Sequence, residues 1–311
     1  MTKDILPPKN DVVFKLLFGD QRNGDLLSDF LKAVIHLPED DYSEITVVDP
    51  HLIRKHPDKK LGILDLKIRT KSGKIVHVEI QLLDFPQIRE RIVFYDAGLI
   101  TDQLDAGEEY GSIKRVITIL ITDYVLIPES SRYHNRFTLY DPESTMEFTD
   151  LIEIHTLELP KLPETADNYL WHWLRFLRAE SKEDLDMVAQ ASPKLQKTVV
   201  KLLELSEDEE ARMIYEAEVK AARDERARMR GAFEKGILQG KTEGKTEGRT
   251  EGKIEGRIEG KIEGKIEGKT EGRVESKLEI AQKLLKKKMP IEDILEITGL
   301  SRDDIETKLP Q

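Results

Sequence analysis

The chain has 311 residues, 49 basic and 60 acidic, for a formal net charge of −11, so as a whole it is no basic nucleic-acid binder. It contains no cysteine, which excludes disulfides, thiolate metal sites and thiol nucleophiles. No run approaches the ~20 apolar residues that cross a bilayer. The start, Met1-Thr-Lys-Asp-Ile-Leu-Pro-Pro8, lacks the apolar stretch of a signal peptide. A cytoplasmic protein with no membrane partner is expected.

Asp11-Val-Val-Phe-Lys-Leu-Leu-Phe-Gly19 predicts a short helix, with Asp11 capping it or in its first turn and Gly19 ending it. From Asp25 to Leu37, apolar residues at 26, 27, 30, 31, 34 and 35 give a second, which stops before Pro38. Strands are expected at about 44–54, 61–70 and 74–82, the last two joined by the turn Thr70-Lys-Ser-Gly73. Pro86 can open a third helix containing Ile88, Ile92, Tyr95 and Leu99. Val116-Ile-Thr-Ile-Leu-Ile-Thr122 is a continuous apolar run, as in a strand covered on both faces. Further strands are expected near 134–140 and 146–155. The order α-α-β-β-β-α-β-β-β, with a helix between extended segments as a crossover, predicts an α/β (α+β) domain over residues 1–163.

A helical region, 164–235, follows, with Trp171, Trp173, Leu174, Phe176 and Leu177 on an apolar face read as core. In residues 236–276 glycine falls at every fourth position from Gly236 to Gly272, ten in all, and Lys/Arg-Thr/Ile-Glu-Gly repeats eight times from Lys241. In a helix the glycines drift ~40° per repeat, and ten of them cost on the order of 10 kcal/mol relative to alanine. Like charges also recur four residues apart, as in Lys241 with Lys245. Two readings stay open: a flexible linker, favoured for a lone chain, or a helix steadied by a second copy, giving a homodimer. Residues 277–311 predict a small helical unit with a stop and cap at Thr298-Gly-Leu-Ser301. It superficially has the form of a helix-turn-helix. Asp303, Asp304 and Glu306 in its last helix are poor chemistry for a DNA groove, so a mini-bundle or oligomerisation piece is favoured.

Two carboxylates stand in apolar strands, Asp65 in Leu61-Gly-Ile-Leu-Asp65-Leu-Lys-Ile and Glu79 in Ile75-Val-His-Val-Glu79-Ile-Gln81-Leu. A charge in such a setting calls for a partner, a metal or a shifted pKa. Residues two apart share a strand face, so Glu79 and Gln81 project together, as do Asp65 and Lys67. Mg²⁺, or another divalent cation such as Mn²⁺, takes hard oxygen ligands and often only one or two carboxylates. Asp65, Glu79 and the carbonyl of Ile80 are candidate ligands, Gln81 a candidate to orient water, and Lys67 to steady a phosphate. The competing reading is structural, a hairpin in which both acids pair with nearby lysines. Residues 54–74 hold eight Lys or Arg against Asp58 and Asp65, a local net +6 fit either for an anionic polymer or for a solvated rim. His77 stands two residues before Glu79 on the same face, and a hydrogen-bonding strand histidine is its plainer role.

The segment Asp-x-x-Phe-Lys-x-x-Phe-Gly at 11–19 resembles the opening of the Rpn-type recombination-promoting nucleases, also called PD-(D/E)XK nuclease-family transposases. Asp65 in its apolar strand, Val78-Glu-Ile-Gln81, Arg91 with Tyr95, the Glu-Gly tetrads and the Thr-Gly-Leu-Ser tail carry the same resemblance. It implies a restriction-endonuclease-like mixed sheet flanked by helices and Mg²⁺-dependent cleavage of DNA. It implies Asp65 as the motif aspartate, Glu79 as its second acid and Gln81 at the position of its lysine. Gln81 carries neither proton nor charge, and Leu64 stands where the motif has proline. Lys67 is then a candidate for a lysine that has migrated to the neighbouring strand. A degenerate nuclease fold that binds nucleic acid or protein without cutting is the alternative.

Overall fold

The computed structural model describes residues 4–49 and 65–308. The basic residues 54–60 and parts of the first two expected strands lie outside that range.

Helix α1, Asp11–Phe18, is capped by Asn10, whose side chain accepts from the Val12 and Val13 amides; Asp11 takes the first turn. Helix α2, Gly24–Val34, follows. Strands β1 (Thr46–Val48), β2 (Leu66–Arg69) and β3 (Ile75–Gln81) form an antiparallel meander. The β2–β3 turn closes by a 2.9 Å bond from the Gly73 amide to the Thr70 carbonyl, and Gly73 sits at φ 87°, where a side chain would be strained. Helix α3, Ile88–Thr101, begins two residues after Pro86 and crosses over to β4, Val116–Thr122, which runs parallel to β3. Strands β5 (His134–Tyr140) and β6 (Glu147–Glu158) complete a six-stranded sheet of order β1-β2-β3-β4-β6-β5, with β4 and β6 parallel.

All seven residues of β4 are buried, as its unbroken apolar run requires. Ile117, Ile119 and Ile121 point to one face with Val76, Val78, Ile80, Leu66 and Ile68, and helices cover them. Val116 and Leu120 point to the other face, against Leu99, Ile88 and Ile92 of α3.

The main core does not stop at Pro163. Helices α4 (Tyr169–Arg178), α5 (Lys182–Ala189) and α6 (Pro193–Glu207) bury Trp173, Phe176, Leu185 and Leu202 in the same cluster as Phe14, Phe18 and Phe30. The Trp173 ring lies 5.5 Å from Phe30 and 6.0 Å from Phe18. The expected division at 163 therefore falls within one core. The chain forms two compact units, one through Arg223 and one from Asp224.

The tetrads are helical, within α7, Glu209–Lys286, of 78 residues. The linker reading fails for the backbone. Thr242, Thr246 and Thr250 return their hydroxyls to carbonyls four residues earlier, at 2.8 Å each. The C-terminal unit packs Ala281, Ile294, Leu300 and Ile305 into a core of its own. In it α8 (Ile291–Thr298) ends at left-handed Gly299, and Ser301 caps α9 (Arg302–Lys308).

Candidate active site

β2 and β3 pair with Leu66 opposite Val78, so one further step sets Asp65 opposite Glu79. The two carboxylates share the α3 side of the sheet with His77 and Gln81, as strand alternation requires. Asp65 accepts a 2.9 Å bond from the Ile80 amide and a 2.9 Å ion pair from Lys15. Glu79 takes a 2.6 Å ion pair from Arg91 on one oxygen and lies 3.3 Å from Nε2 of His77 on the other. The same Arg91 nitrogen donates to the Gln81 carbonyl oxygen at 2.8 Å. The Gln81 amide donates to the Leu83 carbonyl at 3.0 Å. The Arg91 guanidinium lies over Phe85 and Tyr95, 5.1 and 5.9 Å from their ring centres.

Two neighbouring carboxylates, one buried and one half-buried, cannot both ionise freely. Burial and then the Glu79 charge push the Asp65 carboxyl up, against the pull of Lys15 and the Ile80 amide. Burial works against the Glu79 charge as well, but His77 and Arg91 outweigh it and hold the group below the ordinary glutamate range. Burial also opposes the Lys15 charge, yet Asp65, Asp11 and Glu79 together raise its pKa. The pair thus draws positive charge from Lys15 on one side and Arg91 on the other.

The oxygen donors suit a hard divalent ion. Asp65 and Glu79 offer carboxylate oxygens. The Ile80 amide faces Asp65, and a strand residue's carbonyl points to the same side as its amide, so the Ile80 carbonyl shares that edge. Among the described residues no three carboxylate or imidazole groups are placed to hold a metal ion together, so a metal here relies on the pair, the backbone, water and substrate.

Lys67 is not brought to the pair. It stands opposite His77 in the register and lines an open cavity with Arg69, Asp102 and Lys114. Burial lowers its pKa, and the charges acting on it are those of Asp102, Arg69 and Asp49 rather than either acid. The lysine that reaches the pair is Lys15 of α1, at Asp65, and the sequence reading assigned it no such role. Its only signal is the lysine of Asp11-Val-Val-Phe-Lys15. Arg91 was visible only as part of the family resemblance, with no role attached.

A mixed sheet with helices on both faces and paired acids at its β2–β3 hairpin defines a restriction-endonuclease-like domain. The family described as PD-(D/E)XK nuclease family transposase matches residues 8–232, and the chain belongs to it. Residues 274–308 match the C-terminal HTH domain of the Rpn/YhgA-like nuclease family, which corrects the preference for a mini-bundle or oligomerisation piece. Ala281 of α7, Ile294 of α8 and Ile305 of α9, with Leu300 of the turn, form the core of this unit; the acidic residues of α9 had argued against a helix-turn-helix. No curated protein and no solved structure matches the chain. Among the described residues, no helix is long and apolar enough to cross a membrane.

Proposed function

We propose that the protein is a divalent-metal-dependent DNA endonuclease, with Mg²⁺ as its ion, that hydrolyses phosphodiester bonds and so promotes recombination or movement of a mobile element. The observation that supports this most is the pair of half-buried Asp65 and buried Glu79, two acids held together beside Lys15, Arg91 and His77. Asp65, Glu79 and the Ile80 carbonyl would hold the ion. Bound there, it would neutralise charge at phosphorus and lower the pKa of an attacking water. Lys15 takes the place proposed from sequence for Lys67, an ammonium beside Asp65 able to steady a phosphate oxygen. Gln81 keeps its amide aligned between Arg91 and Leu83 and would orient water only by releasing one of them. We place the action in the cytoplasm, where a chain without cysteine and acting on DNA meets its substrate, and assign homodimerisation to the C-terminal helices.

A second reading, nucleic-acid binding without cutting, draws on Gln81, which cannot supply the charge of the lysine it replaces. Supercoiled plasmid with Mg²⁺ separates the two. Nicking that EDTA and Asp65→Ala both abolish is expected. Equal nicking by Asp65→Ala would remove this site from the reaction, and no nicking by the parent would favour the binding reading.

A further inference from the structure

One face of the tetrad helix is apolar and uncovered. At every fourth position from Leu238 to Val274, ten in succession, α7 carries leucine, threonine, isoleucine or valine. Thr242, Thr246, Thr250 and Thr270 donate their hydroxyls to carbonyls four residues earlier, at 2.7 to 2.8 Å, so the row offers their methyl groups rather than free donors. Ile254, Ile258, Ile262 and Ile266 at its centre are each more than half exposed. A contiguous exposed row of large aliphatic side chains marks a contact surface.

The charges beside the row are equally regular. Each of these isoleucines follows a Lys or Arg and precedes a Glu, as in Lys253-Ile254-Glu255. At ~100° per residue the cations line one flank of the row and the carboxylates the other. Along the repeat, opposite charges stand two or six residues apart, not the three or four at which helix side chains meet; the charges four apart are alike. Neither flank finds its counter-charge on its own helix.

We propose that this row is the seam of a parallel, in-register pair of α7 helices from two copies of the chain, with the Glu flank of each against the Lys/Arg flank of the other. It rests on the homodimerisation proposed above and is independent of the nuclease chemistry.

Symmetry selects the direction. In a parallel two-fold pair the left flank of one helix meets the right flank of its partner, so carboxylates face cations on both sides of the seam. In an antiparallel pair each flank meets its own kind, Glu against Glu and Lys against Lys. Opposite charges beside an apolar seam fix partner and orientation, and like charges oppose them. Four residues overshoot one turn by ~40°, so the row winds in the right-handed sense and the two helices wrap that way. The glycines, two residues from each isoleucine, fall on the opposite side of the helix, where an added side-chain carbon meets nothing. Pairing supplies the apolar burial that a helix with ten glycines otherwise lacks. It also brings both C-terminal HTH units to the same end, the arrangement of a dimer that reads two half-sites on one duplex.

The chain has no cysteine, so single-cysteine variants of the full-length protein report the contact directly. Thr250 and Thr270 flank the four isoleucines symmetrically. Under mild oxidation Thr250→Cys and Thr270→Cys are each expected to form a disulfide-linked dimer alone, and Gly260→Cys, on the outer side, to form none. An antiparallel pair centred on the isoleucines sets 250 against 270, so linkage only in a mixture of the two variants overturns the proposal. Linkage of Gly260→Cys in place of the threonine positions overturns it as well. Sedimentation equilibrium supplies the second measurement. Ile258→Asn with Ile262→Asn is expected to raise the dimer dissociation constant about a hundredfold, by removing four buried side chains per pair. An unchanged constant refutes the seam. A monomeric parent removes homodimerisation itself, whereas a dimer in which no single cysteine links keeps homodimerisation and removes only the seam.

Discussion

Asp65, just before β2, stands opposite Glu79 of β3, and Lys15 is the cation that touches Asp65. Lys15→Met leaves the two carboxylates less compensated and removes an ammonium from the phosphate's place. Single-turnover plasmid cleavage is expected to fall about a hundredfold, a size ordinary for one electrostatic contact at a reacting phosphate. Lys67→Met is expected to cut like the parent. Stability should change little in Lys15→Met, because an ion pair with a partly exposed lysine contributes about 1 kcal/mol or less. The reverse result, with Lys67 mattering and Lys15 not, would return the migrated lysine to β2. Sequence alone was enough to set Asp65, Glu79 and Gln81 on one face as candidates, because an acid in an apolar strand is conspicuous and alternation fixes the face. It misplaced the lysine, because alternation says which face a side chain shares and not how far along the strand it sits. Lys67 is two residues from Asp65 and meets Asp102, whereas Lys15 arrives from a helix fifty residues earlier. Asp96 of α3, buried beside the Thr118 hydroxyl, gives a separate test through pH. Its folded pKa of about 6 lies above the ordinary 3.8. The unfolded chain therefore holds fewer protons between those values, and this group's contribution to stability is present below pH 4 and lost as pH rises through 6. Asp96→Asn removes the loss, so its stability relative to the parent should rise from pH 4 to pH 7 by up to about 3 kcal/mol, read from urea unfolding. A difference flat in pH would refute the raised carboxyl.

Element by element, the sheet was the most legible part. The apolar run at 116–122 suited a strand covered on both faces, and the Thr70–Gly73 turn set the hairpin that joins the acids. Helices α4 to α6 were recognised as helices with core faces, but which core they filled was not readable. The contact of Trp173 with Phe18 and Phe30 spans more than 140 residues, and no local pattern encodes it. For the tetrad stretch, propensity argued against a helix and the structure has one. No atom outside the helix lies within 4 Å of a side-chain carbon added at any glycine from Gly236 to Gly272. Ile254, Ile258, Ile262 and Ile266 are each more than half exposed. Converting Gly248, Gly252, Gly256 and Gly260 to alanine therefore adds helix propensity without a clash, about 1 kcal/mol per site. Circular dichroism at low protein concentration is expected to show a higher melting temperature for the tail helix. If the variant instead melts lower and elutes as a smaller species than the parent on sizing, the glycines are points of close approach between two copies.

At the level of the whole chain, a net charge of −11 opposes DNA, so binding must come from local positive charge. The C-terminal unit matches an HTH domain, yet α9 carries Asp303, Asp304 and Glu306. The positive charge of that unit is concentrated elsewhere, in the exposed Lys286-Lys287-Lys288 at the end of α7. Phosphate contact is therefore expected from these lysines rather than from the face of α9. Changing all three to alanine should weaken binding to duplex DNA similarly for unrelated sequences. It should also reduce the slope of log affinity against log salt by up to about 3, one neutralised phosphate contributing about 0.9. Fluorescence anisotropy over a salt series, with Ca²⁺ replacing Mg²⁺ to prevent cutting, measures both. Plasmid nicking at saturating DNA should persist in the same variant, since Asp65 and Glu79 belong to the other unit. An unchanged salt slope would move the DNA contact off this unit and onto the other, where Lys15 and Arg91 flank the paired acids.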